Sequence, residues 1–107
     1  MGHAGEFEML VMLAVLRLSS GAYGVTVRDE LEGETSRRLT LGTIYKTLGR
    51  LEDKGFLRSR TSEPTAERGG RRKKLYEVSP TGLVAIQNSL ADLRRLTSGL
   101  DLEPEKP

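Results

Sequence analysis

Hydrogen-bond donors recur at helical spacing between residues 40 and 54 of this 107-residue chain. The donors of one helix face are Thr43, Lys46, Thr47, Arg50 and Lys54. The apolar residues of the other face, spaced three, four and three apart, are Leu41, Ile44, Leu48 and Leu51. This pattern predicts a helix that packs one face into a core and presents donors on the other. Because the major groove of B-form DNA admits one helix and displays acceptors such as guanine N7 and O6, the pattern favours DNA as the ligand.

The donors of this helix suit different parts of a duplex. Lys46 and Arg50 can reach base acceptors in the major groove. Thr43 and Thr47 can contact thymine methyl groups or phosphates. The four side chains together predict both base reading and attachment to the backbone.

The start of the same helix offers a second kind of contact. Thr40 is a suitable N-cap, and Gly42 leaves room for a phosphate to approach the free backbone N–H groups of the first turn. Tyr45 admits two interpretations. Its hydroxyl can contact a phosphate, or its ring can pack beneath the neighbouring hairpin with the hydroxyl in water.

A glycine-containing basic segment follows the donor-rich helix. It places five cations and two glycines within seven residues, namely Arg68, Gly69, Gly70, Arg71, Arg72, Lys73 and Lys74. Glycine lets the backbone come close to a duplex, and the cations displace counterions from phosphates. We expect this segment to contact the flanking backbone or an adjacent minor groove.

Charge is strongly separated along the chain. Residues 37–74 contain 12 basic and 4 acidic residues, a net charge of +8, whereas the remainder contains 5 basic and 11 acidic residues, a net charge of −6. Such separation predicts a surface that faces a polyanion. A domain with a purely solubilising surface would mix the two signs more evenly.

The elements that must position these residues can be read from periodicity and caps. Nearly continuous apolar residues predict a buried helix over 6–19, and a second helix is expected over about 25–32 with Gly33 near its end. The donor-rich helix runs from its cap to about Lys54 and is closed by Gly55. Alternating residues predict strands over 56–60 and 75–78, and a last helix begins with Ser79 as N-cap and Pro80 in its first turn. The order helix-helix-helix-strand-strand-helix predicts a mainly α fold with a β-hairpin, the winged helix-turn-helix.

The last helix carries an apolar heptad seam. Its residues are Leu83, Ile86, Leu90, Leu93, Leu96 and Leu100. The seam can cover the core of its own domain, but its length favours pairing with a second subunit. We therefore expect a DNA-binding domain over 1–79, a dimerisation helix over 80–100 and a flexible tail over 101–107. A two-fold dimer predicts a palindromic operator with half-sites about 34 Å apart, or a multiple of that distance.

Several functional classes are disfavoured by composition. The chain has no Cys, and its one His is His3 near the terminus, so a metal site, a cofactor site or a nucleophilic enzyme is not expected. Glu52 and Asp53 are adjacent and point in different directions on a helix, which makes them a poor acid–base pair. The most apolar stretch, residues 9–18, is too short to span a bilayer, so a cytoplasmic protein is expected. A winged helix that binds a protein instead of DNA stays open as the alternative function.

The motifs resemble those of the PadR-like transcriptional regulators. The resemblance covers residues 6–100 and is most specific in Gly42-Thr43-Ile44-Tyr45 and in Arg50-Leu51-Glu52-Asp53-Lys54-Gly55. It implies a homodimer held by the C-terminal helix, with help from the N-terminal helix, and a repressor role. Some members bind small aromatic molecules at the dimer interface. The chain contains no Trp, and the sequence leaves open whether an effector binds there.

Overall fold

The computed structural model describes residues 4–62 and 72–103. Three helices come first, α1 (Glu6–Leu18), α2 (Gly24–Glu34) and α3 (Leu41–Asp53), with a short 3-10 turn at Ser19–Gly21. Two antiparallel strands, β1 (Leu57–Thr61) and β2 (Lys74–Val78), precede α4 (Pro80–Thr97). The predicted order of elements is confirmed. Among the described residues, no helix is long and apolar enough to cross a membrane.

The ends of α3 and α4 follow the predicted local chemistry. The Thr40 hydroxyl accepts a hydrogen bond from the Thr43 N–H at 3.2 Å, which caps the first turn of α3. After α3, Gly55 adopts a φ of +79°, a conformation that favours glycine. The Ser79 hydroxyl accepts from the Gly82 N–H at 3.0 Å, and Pro80 occupies the first turn of α4.

The hairpin is attached to the helices by backbone contacts. Leu57 pairs with Val78 and Ser59 with Tyr76, so the two antiparallel strands are paired without a bulge. The Tyr76 N–H also donates to the carbonyl of Ala22 at 2.8 Å, which joins β2 to the turn before α2. We call β1, β2 and the segment between them the wing. Its predicted tip residues Arg68, Gly69, Gly70 and Arg71 lie outside the described residues.

The core lies between α1, α3 and the base of the wing. Its largest fully buried side chains are Met12, Ile44, Leu48, Leu51, Leu57, Val11, Val15 and Val27. The prediction that α1 is buried on nearly all sides holds for most of its length, but Leu16 is 44% exposed. Beside it, Arg17 forms ion pairs with Glu30 and Glu34 of α2. Packing in the core fixes the orientation of α3 and so determines which of its side chains face outward.

Some predicted boundaries were wrong by a few residues. α1 ends at Leu18, because the next three residues tighten into the 3-10 turn. α2 continues to Glu34, so Gly33 lies inside the helix rather than closing it. Thr35 ends α2, and both its N–H and its hydroxyl donate to the Leu31 carbonyl, at 2.9 and 2.7 Å. β1 starts at Leu57, one residue later than predicted.

The predicted dimer seam of α4 is divided between two environments. Ile86 is 3% exposed and packs in the core with Ala85, so its assignment to the dimer interface was wrong. Leu90 is half-buried against the same core. The exposed seam residues are Leu83, Leu93, Leu96 and Leu100. The helix ends at Thr97, with Gly99 at a φ of +81°, so Leu100 lies beyond it.

Candidate nucleic-acid interface

The outward face of α3 presents most of the predicted donors to solvent. Thr43, Lys46 and Arg50 are exposed, and Thr40 and Gly42 are exposed at the start of the helix. With Phe7 of α1 beside them, these residues line one shallow concave surface. The structure therefore brings together the residues predicted for base and phosphate contacts at this helix.

Thr47 does not share the exposure of its neighbours. It is 3% exposed and lies at the floor of the same concave surface. The prediction that its side chain faces outward was wrong, because position 47 falls three residues after Ile44 and four before Leu51. That spacing places it on the core side of the helix, a signal that the sequence already contained.

Tyr45 packs against the start of α2 while half of its surface stays exposed. A Cβ atom added to Gly24 would lie only 2.2 Å from Tyr45 Cε1, so the ring rests directly on the glycine. Tyr45 itself is 52% exposed. Its ring and the base of the wing line a cavity of about 380 Å³. Of the two interpretations, ring packing occurs, and the contact is with α2.

The described basic residues of the wing fall into two environments. The Lys73 ammonium lies 4.5 Å from the centre of the Tyr23 ring and 3.4 Å from its hydroxyl. Lys74 instead forms an ion pair with Glu52 at 3.0 Å. The Ser59 hydroxyl donates to the same carboxylate, and this hydrogen bond and the one from Lys74 lower the pKa of Glu52. Arg72 is exposed two residues before β2 begins.

An ion pair at the end of α3 was missed from the sequence. The Lys54 ammonium lies 2.7 and 3.0 Å from the carboxylate oxygens of Glu8, which is 7% exposed. Burial raises the pKa of Glu8, but hydrogen bonds from Lys54 and the Gly5 N–H, with the charges of Lys54 and Arg50, lower it overall. Lys54 is therefore paired inside the protein. An acid in the first turn of an apolar helix was the available signal.

Four cations along this surface have no such partner. Within residues 4–62 and 72–103, the ion pairs found leave Lys46, Arg50, Arg72 and Lys73 without a carboxylate. A cation without an internal partner keeps its full charge for an external anion. The surface formed by α3 and the base of the wing is therefore positively charged and can accept a polyanion.

An apolar groove lies between α1 and α4, away from these cations. Its volume is about 500 Å³, and its apolar lining includes Met9, Leu10, Leu13, Leu90, Leu93 and Leu96. At one end, the Ser89 hydroxyl accepts from the Ala4 N–H at 3.1 Å and holds the start of the described chain against α4. The groove brings together the half-buried and exposed parts of the predicted seam.

Three helices, a two-stranded wing and a donor-bearing third helix define a winged helix-turn-helix protein. A family model described as "Transcriptional regulator PadR-like family" matches residues 12–88, and the chain belongs to that family. The predicted family membership and fold class are confirmed. A comparison with curated proteins finds none that matches the chain.

Solved structures of similar fold include several PadR family regulators. One from Clostridium difficile R20291 shares 24% identity at a TM-score of 0.73, over 87% of this chain and 92% of that chain. One from Eggerthella lenta DSM 2243 shares 26% identity at a TM-score of 0.68, over 89% and 82%. Bacillus subtilis PadR, solved in complex with operator DNA, shares 19% identity at a TM-score of 0.59. That match covers 94% of this chain but 53% of the Bacillus protein.

Proposed function

We propose that this protein binds specific sites on double-stranded DNA as a homodimer and represses transcription. The observation that carries the proposal is the row of exposed donors on α3, with Lys46 and Arg50 lacking an internal carboxylate partner. A helix with this face fits the major groove, where Arg and Lys recognise guanine. Membership of the PadR-like family and the operator complex of the Bacillus protein support the same conclusion.

The proposed contacts divide into base reading and backbone attachment. Arg50 and Lys46 read base edges, and Thr43 and Tyr45 contact the sugar-phosphate backbone. Thr40 and Gly42 bring a phosphate to the first turn of α3. Thr47 supports the helix from its buried side.

The wing supplies attachment that is independent of sequence. Arg72 and Lys73 are exposed just before β2, and we propose that they contact phosphates of the DNA backbone. Arg68, Gly69, Gly70 and Arg71 at the tip extend this contact toward the flanking backbone or minor groove, on the basis of their composition alone. Lys74 is instead paired with Glu52.

The groove between α1 and α4 is proposed as the surface that pairs two copies of the chain. Leu93 and Leu96 are 54% and 76% exposed, and such side chains are stabilised when a partner removes them from water. A two-fold dimer places two α3 helices in successive major grooves, so the operator is palindromic. Small apolar effectors are the class of ligand that this groove suits. The repressor role rests on the family resemblance.

Fluorescence anisotropy with labelled duplexes tests the proposal. One duplex comes from the DNA upstream of the gene encoding the chain and the other has a random sequence, with salt varied from about 50 to 200 mM. We expect tighter binding to the upstream duplex and a steep fall in affinity with salt. Absence of binding to both duplexes at low salt would refute DNA binding and favour the protein-interaction alternative.

A further inference from the structure

Two neighbouring lysines, Lys73 and Lys74, lie at the loop end of the wing strands and have different partners. Lys73 lies against the Tyr23 ring and its hydroxyl, both uncharged groups. Lys74 lies 3.0 Å from a carboxylate oxygen of Glu52 and 5.7 Å from the centre of the Tyr76 ring. The ion pair raises the pKa of the Lys74 ammonium. Identical side chains therefore occupy one neutral and one anionic environment.

Glu52 connects three separate elements. It lies in the last turn of α3, accepts from the Ser59 hydroxyl on β1 and pairs with Lys74 at the start of β2. Since Lys74 pairs with Thr61, the last residue of β1, these contacts lie at the loop end of the two strands, opposite the Leu57–Val78 end that adjoins α3 and α4. The Glu52 side chain is about one-third exposed and the Lys74 side chain is 56% exposed, so water screens the ion pair and the Ser59 hydrogen bond adds to the attachment.

We propose that Glu52 is a positioning residue that fixes the wing relative to α3, and that Lys74 acts through Glu52 rather than on DNA. The proposal rests on the proposed DNA-binding function. Both α3 and the wing contact the same duplex in the proposed complex. The side chains of α3 can therefore meet the correct bases only when the distance and angle between α3 and the wing are fixed. Contacts with random DNA tolerate a looser wing.

The pairing also determines how each lysine affects salt dependence. A cation that neutralises a phosphate releases a condensed counterion and adds about 0.9 to the slope of log affinity against log salt. Lys74 is already neutralised by Glu52 and adds little to that slope. Lys73 has no carboxylate partner among the described residues and adds a full increment.

The decisive variant is Glu52→Gln, and Asp53→Asn is its matched control. Both remove one negative charge from the same end of α3, but Asp53 is exposed and forms no ion pair in the described part of the chain. Each variant is titrated by anisotropy with a duplex enriched from a random pool by the wild-type protein and with a random-sequence duplex. We expect Glu52→Gln to lower the ratio of the two affinities about three- to fivefold, the range of a partly exposed ion pair. Asp53→Asn should leave the ratio within about twofold of wild type.

Two further comparisons separate positioning from general charge effects. Ser59→Ala removes a hydrogen bond to Glu52 without changing charge, and we expect it to lower the affinity ratio in the same direction. Lys73→Ala should reduce the salt slope by about 0.9, whereas Lys74→Ala should change it by less than about half of that and lower the affinity ratio instead. Circular dichroism melting confirms that each variant is folded at the titration temperature.

The outcomes distinguish this inference from the proposed function. If wild-type protein enriches no duplex and binds none at low salt, DNA binding itself is refuted. If wild-type protein binds its enriched duplex selectively but Glu52→Gln matches Asp53→Asn, the positioning role is refuted alone. Equal salt slopes for Lys73→Ala and Lys74→Ala would also overturn it, because Lys74 would then be a phosphate contact.

Discussion

Gly82 lies where α4 begins against the turn that follows α3, and replacing it with Ala should destabilise the whole fold. A Cβ atom at this position would lie 2.1 Å from the carbonyl oxygen of Phe56 and 2.9 Å from its carbon. Both atoms belong to the backbone, so no side-chain rotation can relieve the overlap. The first turn of α4 must move away by about 1 Å, since contacts below about 3.4 Å are tighter than ordinary packing.

The cost follows from the interactions that this movement breaks. The Ser79 N–H donates to the Phe56 carbonyl at 3.0 Å, and the Ser79 hydroxyl donates to the Gly55 carbonyl at 2.6 Å. Each hydrogen bond contributes about 1 kcal/mol net. Poorer packing of Ile86 against the core adds about another 1 kcal/mol. We therefore expect Gly82→Ala to lower the free energy of unfolding by about 2–4 kcal/mol.

Thermal melting and urea titration by circular dichroism measure this change at one fixed protomer concentration. A loss of that size lowers Tm by about 9–18 °C in a domain of this length. The matched control is Gly33→Ala in α2, where nothing lies within 4 Å of the added Cβ and the helix gains about 0.5–1 kcal/mol. A Gly82→Ala variant that melts within about 2 °C of wild type would refute the reasoning, as would equal shifts in the two variants.

Four further variants test the surface, the groove and the ion pair between Glu8 and Lys54. Arg50→Ala should weaken binding to the duplex enriched by the wild-type protein by about 1–3 kcal/mol and relax discrimination at one base step. Lys73→Ala should weaken binding to all duplexes alike. Anisotropy with single-base variants of the enriched duplex checks both predictions. Leu93→Glu should convert a dimer to a monomer in analytical ultracentrifugation, and an unchanged sedimentation coefficient would contradict the proposed interface. Glu8→Gln should cost about 1–2 kcal/mol at pH 7 in urea titrations. Because folding lowers the pKa of Glu8 below its ordinary 4.5, this stabilisation is fully present above about pH 4.5 and disappears as the pH falls through the folded value. A difference from wild type that does not diminish as the pH falls below 4.5 would contradict that assignment.

Local chemistry accounts for the parts of the fold that were predicted well. The Thr40 cap, the Gly55 terminator and the Ser79-Pro80 start each depend on residues within one helical turn of each other, and the structure has all three. The two strands that pair in the structure were likewise predicted from alternation within a few residues. Such signals are complete within a short stretch of sequence. The predictions made from them therefore do not depend on residues that are distant in sequence.

Faces were harder to assign than elements. The 44, 48 and 51 stripe predicted the core side of α3 correctly, but its edges depend on what packs there. Thr47 lies three residues after Ile44 and four before Leu51, at the edge of that stripe, and it is 3% exposed. Ile86 is buried because α4 turns it toward the core, although a heptad pattern groups it with Leu83. Periodicity predicts which face of a helix is buried. The neighbouring elements determine how many flanking residues are buried with that face.

Pairs distant in sequence could not be predicted at all. Glu8 and Lys54 are 46 residues apart, and Glu52 meets Lys74 across the wing. Charge counting places both lysines in the same basic segment and treats them as equivalent to Arg50. The fold distinguishes them from Arg50, because each forms an ion pair with a carboxylate that another element supplies. Among the described residues, the cations without such a partner are therefore fewer than the +8 segment suggests.

The arrangement of α4 links the proposed dimer surface to the proposed DNA surface. Ala85 and Ile86 belong to the core beneath α3, while Leu93 and Leu96 lie along the groove with α1. One continuous helix therefore contacts both regions, and no flexible joint separates them among the described residues. α1 makes the same connection from its own side, since its first turn pairs with α3 through Glu8 and its next turn lines the groove. A second subunit or ligand seated in the groove consequently contacts α1, which packs directly against α3, and any influence on DNA affinity requires only small movements of these packed elements.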